Sequence, residues 1–592
     1  MQQLLADVTP LGAFSAEQKE YLEGFLGGVA QRAHLPFVGV TADGKLTSNP
    51  GGAGPNLAAE ETFYSTKVAD LCKEERWKYE ENPLDAWDRM MAHAEKEQFP
   101  DAENTYRFKF FGLFYVAPAQ NAFMLRCRLP AGILTSVQAH GMAEIATDWG
   151  GGYLDITTRA NLQVREIAPR HLLDVLGKIQ DLGISSRGAG ADNVRNITAS
   201  PASGIDPVEL YDCRLLARGL NHYLLNHREL FGLPRKFNVA FDGGGSISAL
   251  ADTNDIGFVA VRVSNAEGIE PGVYFRTQLA GISGHKQFAR DAGILVKPND
   301  CIAVAAAMTR VFAENGDRTN RKKARLKYLI DCWGIEKFLE ETEKRLAFPL
   351  TRLSLEKCEL PRTPLRHGHV GVYRQIQKGK NYVGVAIPVG RMKAKQLHRL
   401  AELAQLYGSG ELRLTVFQNL IIPDISDAFV ETVKRTLVRM GFHHEPNSIT
   451  SGMVACTGSM GCKYAATNTK GHAQKIALHL QGRVQVEQPI NIHLTGCPHS
   501  CAQHYIGDIG LLGTKVNPNG ESVEGYHVVL GGGFGADQAV GREVFSGIAF
   551  PEIPPLLERI LRVYEERRES GESFSAFTRR HDIKTLQEIF SS

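Results

Sequence analysis

The sequence predicts an α+β fold built twice over, with the two copies arranged about a pseudo-two-fold axis. Short runs that alternate apolar and polar residues, such as "FMLRCRLP" and "YLDITTRANLQVREI", flank the helix-period run "TSVQAHGMAEIATDWG". The same strand, helix, strand succession returns in "YVGVAIPVGRMKAKQLHRLAELAQLYGSGELRLTVFQNLIIPDI". The landmarks Pro130 and Pro388, Gly132 and Gly390, Thr157 and Thr415, and Asn161 and Asn419 all stand 258 positions apart. Four matches at one offset without a gap mark an internal duplication, and a pseudo-two-fold pairing of the copies brings equivalent strand ends to a shared central cleft.

Along the chain, residues 1 to about 100 carry a helical start, the glycine-rich "SNPGGAGPN" and a charged helix-like run ending in "AWDRMMAHAEKE", an extended lead-in that wraps over the rest. The duplicated pattern begins at Phe108. The 258 offset places Thr198 over Cys456 and Gly204 over Cys462, so one copy carries sulfurs and the other a blank counterpart.

At 592 residues, 43% hydrophobic and 22% charged, the chain has material for several compact units. A net charge of +2 supplies no overall field for nucleic acid or a membrane surface. The opening "MQQLLADVTPLGAFSAEQKEY" lacks the basic and apolar regions of a signal peptide, and no run approaches about 18 uninterrupted apolar residues. The expectation is a soluble, cytoplasmic protein, and a monomer, since the duplication supplies the two-fold that a dimer would.

Of the ten cysteines, Cys72, Cys127, Cys213, Cys301, Cys332 and Cys358 are scattered singly and read as small buried or half-buried residues. The other four are clustered: Cys456 and Cys462 in "CTGSMGC", and Cys497 and Cys501 in "TGCPHSC". Four thiolates suit tetrahedral zinc or an iron–sulfur cluster. The C-x5-C and C-x3-C gaps match neither zinc knuckles nor ribbons. The small and turn-forming residues around them favour a cubane-sized guest, to which backbone approaches closely and donates hydrogen bonds.

C-x5-C followed by T-G-C-P-x-S-C resembles the siroheme and [4Fe–4S] signature of the nitrite and sulfite reductase hemoprotein family. The resemblance spans about residues 104 to 585 and includes "MLRCRLPAG", "TTRANLQ", "DNVRNITASP", "GLPRKFN", "GDRTNRKKARLKYLID" and "FTRRH". It implies two ferredoxin-like α/β half-units plus two larger α/β siroheme- and cluster-binding domains. The bounds it implies are an N-terminal wrapping segment at 1–103, the first half-unit at 104–178, a siroheme-binding domain without cluster cysteines at 179–346, the second half-unit at 347–440, and the cluster and siroheme domain at 441–592.

The same resemblance implies that Cys456, Cys462, Cys497 and Cys501 bind the cluster, with Cys501 bridging to the siroheme iron. It places Arg126, Arg195 and Lys236 at the substrate pocket, and Thr157, Thr158, Arg159, Asn161 and Gln163 on a siroheme-contacting strand. Siroheme carries eight carboxylates, so Arg128, Arg165, Arg235, Arg318, Asn320, Arg321 and Lys323 are further cofactor candidates. The basic run 318–328 lacks the aromatic interleaving expected for RNA.

"RKFN" puts Asn238 where sulfite reductases of this family carry a second lysine. That change, with "CTGSMGC" and "CPHSCAQ", points to the branch that reduces nitrite to ammonia in six electrons, with ferredoxin or flavodoxin as donor. Met460, Lys463 and His499 depart from plant-type enzymes. Sulfite reduction and a non-catalytic siroheme carrier or sensor are the alternatives. Lys463, Lys470 and Lys475 are the candidates for a basic rim that meets an acidic donor. "VVLGGGFGA" satisfies a G-x-G-x-x-A search, but without a βαβ unit it reads as a glycine loop near cofactor carboxylates.

Overall fold

Two strands change places between the copies. In the computed structural model, which describes residues 61–446, 448–518 and 520–591, the strand Arg391–Lys393 of the second copy pairs with Tyr153–Ile156 of the first, through Arg391↔Asp155 and Lys393↔Tyr153. Its counterpart Ile133–Thr135 pairs with Glu411–Leu414, through Ile133↔Arg413 and Thr135↔Glu411. Each partner in one pairing is the other's residue displaced by 258. Each five-stranded half-unit sheet is therefore closed by a strand from the opposite copy, and the two share one hydrophobic core, in which Leu154, Val164, Leu412 and Leu420 are fully buried.

The helices on these sheets follow the sequence periodicity. Ser136–Asp148 starts in a capping box in which Thr135 Oγ1 accepts from Gln138 N at 3.2 Å and Gln138 Oε1 accepts from Thr135 N at 3.0 Å. Its counterpart Ala394–Tyr407 retains the glutamine half: Gln396 Oε1 accepts from Lys393 N at 2.9 Å. The duplication extends to backbone strain, because Ala131 and Val389 have φ of 57° and 49°, and Ala160 and Gln418 have φ of 46° and 62°. Left-handed non-glycine residues are costly, most of all a β-branched one such as Val389, and persist where their surroundings over-determine them.

The two larger units also match. In the first, Thr198–Ala199, Val239–Asp242 and Ile256–Val263 run parallel, and Gly272–Leu279 and Arg290–Val296 follow antiparallel. In the second, Met453–Ala455, Ile492–Thr495 and Ile509–Val516 run parallel, followed by antiparallel Val523–Leu530 and Arg542–Ala549. Asn238 N donates to Asp255 Oδ2 at 2.9 Å, and Asn491 N to Asp508 Oδ2 at 2.8 Å, the same link between the starts of two neighbouring parallel strands in each unit.

The described part of the lead-in packs against the first larger unit. Lys73–Glu80 buries Glu75 and Lys78; Glu75 pairs with Lys78 and with Arg318, while Lys78 also lies 3.7 Å from Asp192. The expected helical start and "SNPGGAGPN" lie outside the described residues. Of the single cysteines, Cys127, Cys213 and Cys301 are buried and Cys72 and Cys358 half-buried, but Cys332 is exposed. "VVLGGGFGA" ends a strand antiparallel to its neighbours, with no helix of a βαβ unit after it. Gly532 is needed there because a Cβ would meet the Gly507 carbonyl oxygen at 2.4 Å.

Candidate active site

All four units and the lead-in border a single cavity of about 1220 Å³, larger than a drug-sized ligand requires. Cys456, Cys462, Cys497 and Cys501 all line it, with Cys501 the most open and Cys497 buried. Among the described residues, no three His, Cys, Asp or Glu side chains close tightly enough to hold a single ion. The thiols instead share one stretch of wall. Burial, and then the neighbouring Cys501, Cys456 and Cys462, push the Cys497 thiol up to about 11.

The loops around the thiols are built for close approach. Gly496 N donates to Cys456 Sγ at 3.3 Å, a polar contact that stabilises the thiolate. A side chain at Gly496 would meet Ala465 Cβ at 2.6 Å. Gly458, at φ 72°, leaves room for Thr469, whose hydroxyl donates to the Cys456 carbonyl at 2.7 Å. The blank copy is filled instead: Thr198 is fully buried, and a Cβ at Gly204 would strike the Arg214 guanidinium.

The lining as a whole is cationic. Twelve lysines and arginines line the cavity against three carboxylates, Glu74, Asp101 and Asp155. Arg126 lies 4.5 Å over the Phe114 ring and leaves its buried Nε without a partner. Arg195 donates to the Ala189 and Ala191 carbonyls at 3.1 and 2.5 Å, and its Nε too is unpartnered. Burial, then the nearby Arg325, Arg195 and Arg235, pull Lys236 down to about 7, with Cys501 opposing. Burial likewise lowers Arg126 and Arg159 to about 10.

Thr157, Thr158, Arg159, Asn161 and Gln163 all reach the cavity, as do Arg235, Arg321 and Asn238. Thr158 Oγ1 donates to the Cys501 carbonyl at 3.0 Å, which ties this strand end to the last cysteine. Beneath the wall lies Asp192, fully buried, bonded to Arg321 at 2.7 and 3.0 Å, to Tyr106 Oη at 2.7 Å and to Arg235 at 3.5 Å.

Sequence similarity agrees with this arrangement. The family model described as "Nitrite and sulphite reductase 4Fe-4S domain" matches residues 190–350 and 449–589, and "Nitrite/Sulfite reductase ferredoxin-like half domain" matches 117–182 and 373–440. The chain belongs to the nitrite and sulphite reductase family. The ferredoxin–nitrite reductase of Synechococcus elongatus is 36% identical over 501 residues, 83% of this chain and 96% of that protein. The chloroplastic ferredoxin–nitrite reductase of Spinacia oleracea is 32% identical, covering 80% of each chain. The solved structure of the Mycobacterium tuberculosis NirA protein superposes with a TM-score of 0.80 at 29% identity, covering 87% of this chain and 97% of that one.

This nitrite and sulphite reductase homologue departs from the expected cofactor contacts at several positions. Arg128 is buried away from the cavity, where Asn221 Oδ1 and the Gly188 and Val194 carbonyls take its guanidinium at 2.6, 3.3 and 2.8 Å. Arg318 is consumed by Glu75 and by the Gly232 and Ala313 carbonyls. Asn320 and Lys323 are exposed and off the cavity wall; the Asn320 side chain turns back to accept from Lys322 N at 3.0 Å. The glycine loop at 531–535 does not line the cavity either.

Of the three rim lysines, Lys463 and Lys475 are exposed, but Lys470 is buried and bonds the Val389 carbonyl. Sequence reasoning missed Lys109, Lys322 and Arg325 on the wall and Asp192 behind it. Lys322 and Arg325 lie inside the basic run 318–328, and Asp192 is the acid of "DNVRNITASP", so three of the four stand within motifs named above. Among the described residues no helix is long and apolar enough to cross a membrane.

Proposed function

We propose that the protein reduces nitrite to ammonium, NO2− + 8 H+ + 6 e− → NH4+ + 2 H2O, with electrons from a ferredoxin. The cofactors are a siroheme and a [4Fe–4S] cluster, and Cys501, the most open of the four thiols, would be among those that hold the cluster. The observation that carries this reading is the single cavity in which four thiols face an excess of cations. Four thiols on one cavity lining, in loops of small residues that allow close approach, suit a four-iron cluster that Cys456, Cys462, Cys497 and Cys501 would bind. The unpartnered guanidinium nitrogens of Arg126 and Arg195 suit a polyanionic guest and its anionic substrate. Siroheme, when bound, supplies the iron at which electrons reach the anion.

The chain's own groups then have distinct tasks. Thr157, Thr158, Arg159, Asn161 and Gln163, with Arg235 and Arg321, receive cofactor carboxylates. Asp192 holds the last two in place. Arg126 and Arg195 hold the small oxyanion, and preorganised cations strengthen as negative charge gathers on departing oxygens. Lys236, with a proton affinity near neutrality, donates protons at Nζ. Asn238 contributes no charge to this wall, which suits a monoanion over a sulfite dianion. The named activity of the relatives supports the choice of nitrite and of ferredoxin.

The test is turnover of the purified, siroheme-loaded protein with a viologen donor, offered nitrite and sulfite separately. Ammonium formed with preference for nitrite is expected. Preferential sulfide formation overturns the choice of anion, and a fully loaded protein without turnover overturns the enzymatic reading.

A further inference from the structure

Resting on the cluster assignment above, we propose that Lys470 and Arg165, both anchored on Asp155, set the reduction potential of the cluster at the Cys456–Cys462 loop. The sequence position of Lys470, eight residues past Cys462, suggested a solvent-facing docking residue. The structure turns it inward, in the first turn of the helix Thr469–Leu480, 5% exposed, with its ammonium on the Val389 carbonyl and 3.6 Å from Asp155 Oδ1.

Arg165 comes from the first copy and is 3% exposed. Its Nη2 donates to Thr457 Oγ1 at 2.7 Å and its Nη1 to the Gly461 carbonyl at 3.4 Å, so it grips the C-x5-C loop from within. Its Nε donates to Asp155 Oδ2 at 3.0 Å. Asp155 also takes Arg391, at 2.8 Å. One buried carboxylate thus faces three cations, and the excess positive charge sits against the cysteine loop, where little water screens it.

A cluster ligated by four thiolates gains one negative charge when the donor gives it one electron. The donor is oxidised by one electron, and no bond breaks. Fixed positive charge stabilises the reduced form more than the oxidised one, and net charge around a cluster is one of the quantities that sets its potential. Both residues lie outside the cation set assigned to substrate, and Lys470, whose charged neighbours are Asp155, Arg391 and Arg165, bears on electron acceptance.

The test is a redox titration of the holoprotein, with the cluster followed by electron paramagnetic resonance. Lys470→Met keeps the stem and removes the charge. It is expected to lower the reduced-to-oxidised ratio at a fixed potential about tenfold, a midpoint about 59 mV lower. Lys470→Arg is expected to restore it, and Asp155→Asn to move the midpoint the opposite way. Lys470→Met leaves the Asp155 pairs with Arg165 and Arg391 intact, so the charge is tested even where Asp155→Asn fails to fold. A normal cluster signal with an unmoved midpoint in Lys470→Met overturns this inference alone. A chain that takes up no iron and sulfide at the four cysteines overturns the cluster assignment and this inference together.

Discussion

Replacing Asp192 with asparagine removes the one carboxylate that Arg321, Arg235 and Lys78 share, at 2.7, 3.5 and 3.7 Å. The aspartate is fully buried, its cations hold it well below the usual carboxylate range, and Tyr106 Oη completes its shell at 2.7 Å. Removing one partner of a buried ion pair costs about 3–5 kcal/mol, because the remaining charge is left desolvated. Three cations share the loss here, two of them partly open to the cavity, so the lower end of that range is expected. The assay is urea unfolding at pH 7, read by near-ultraviolet dichroism, with siroheme content measured alongside. The variant is expected to unfold at lower urea and to retain less siroheme, since Arg235 and Arg321 lose their anchor.

A pH series adds a sign to that prediction. A depressed folded-state carboxyl contributes stability above its unfolded value, about 3.9, and loses it as pH falls toward the folded value. The gap between wild type and variant is therefore expected to be full at pH 7 and to close below pH 4. A variant within about 1 kcal/mol of wild type at pH 7, with full siroheme content, would refute the account of Asp192 as the anchor of the cationic wall.

Asn238→Lys adds a cation beside Lys236 and is expected to raise sulfite turnover relative to nitrite turnover; an unchanged ratio removes Asn238 from anion choice. Lys236→Met is expected to lower nitrite turnover about 100-fold with the heme spectrum intact, the scale of a lost proton donor, and turnover near wild type would assign the protons elsewhere. Because Lys236 is lowered to about 7, wild-type turnover is expected to fall as pH rises through that region while Lys236→Arg, measured in parallel, loses the inflection. Cys462→Ser is expected to reduce iron and acid-labile sulfide together in chemical assay, whereas loss of neither would place the cluster on other residues.

The duplication was legible because backbone landmarks repeat: Pro130, Gly132, Thr157 and Asn161 keep their spacing in the second copy, where a turn of fixed shape demands the same residues. The four cysteines were legible for the same reason, their spacing being set by the loops that present them. The exchange of Ile133–Thr135 with Arg391–Lys393 was not, since strand pairing between copies leaves no mark on the offset. Single charges were read least well. Arg318 and Arg128 were expected at cofactor carboxylates and Lys470 at a donor, yet each finds its acceptors inside the protein, and only three-dimensional placement separates an inward cation from one that faces a ligand.

The exchanged strands bear on how the chain reaches its native state. Neither half-unit can finish its own sheet: with residues after about 346 absent, Tyr153–Ile156 lacks the neighbour that Arg391–Lys393 provides, and Ile133–Thr135 has nowhere to pair. An incomplete chain would display an open sheet edge, the kind of surface that recruits other chains. Final closure waits for residue 413 and its pairing with Ile133, 280 positions earlier. Two separately expressed halves, split near residue 346, would hold the missing pieces of each other and could assemble only by trading them.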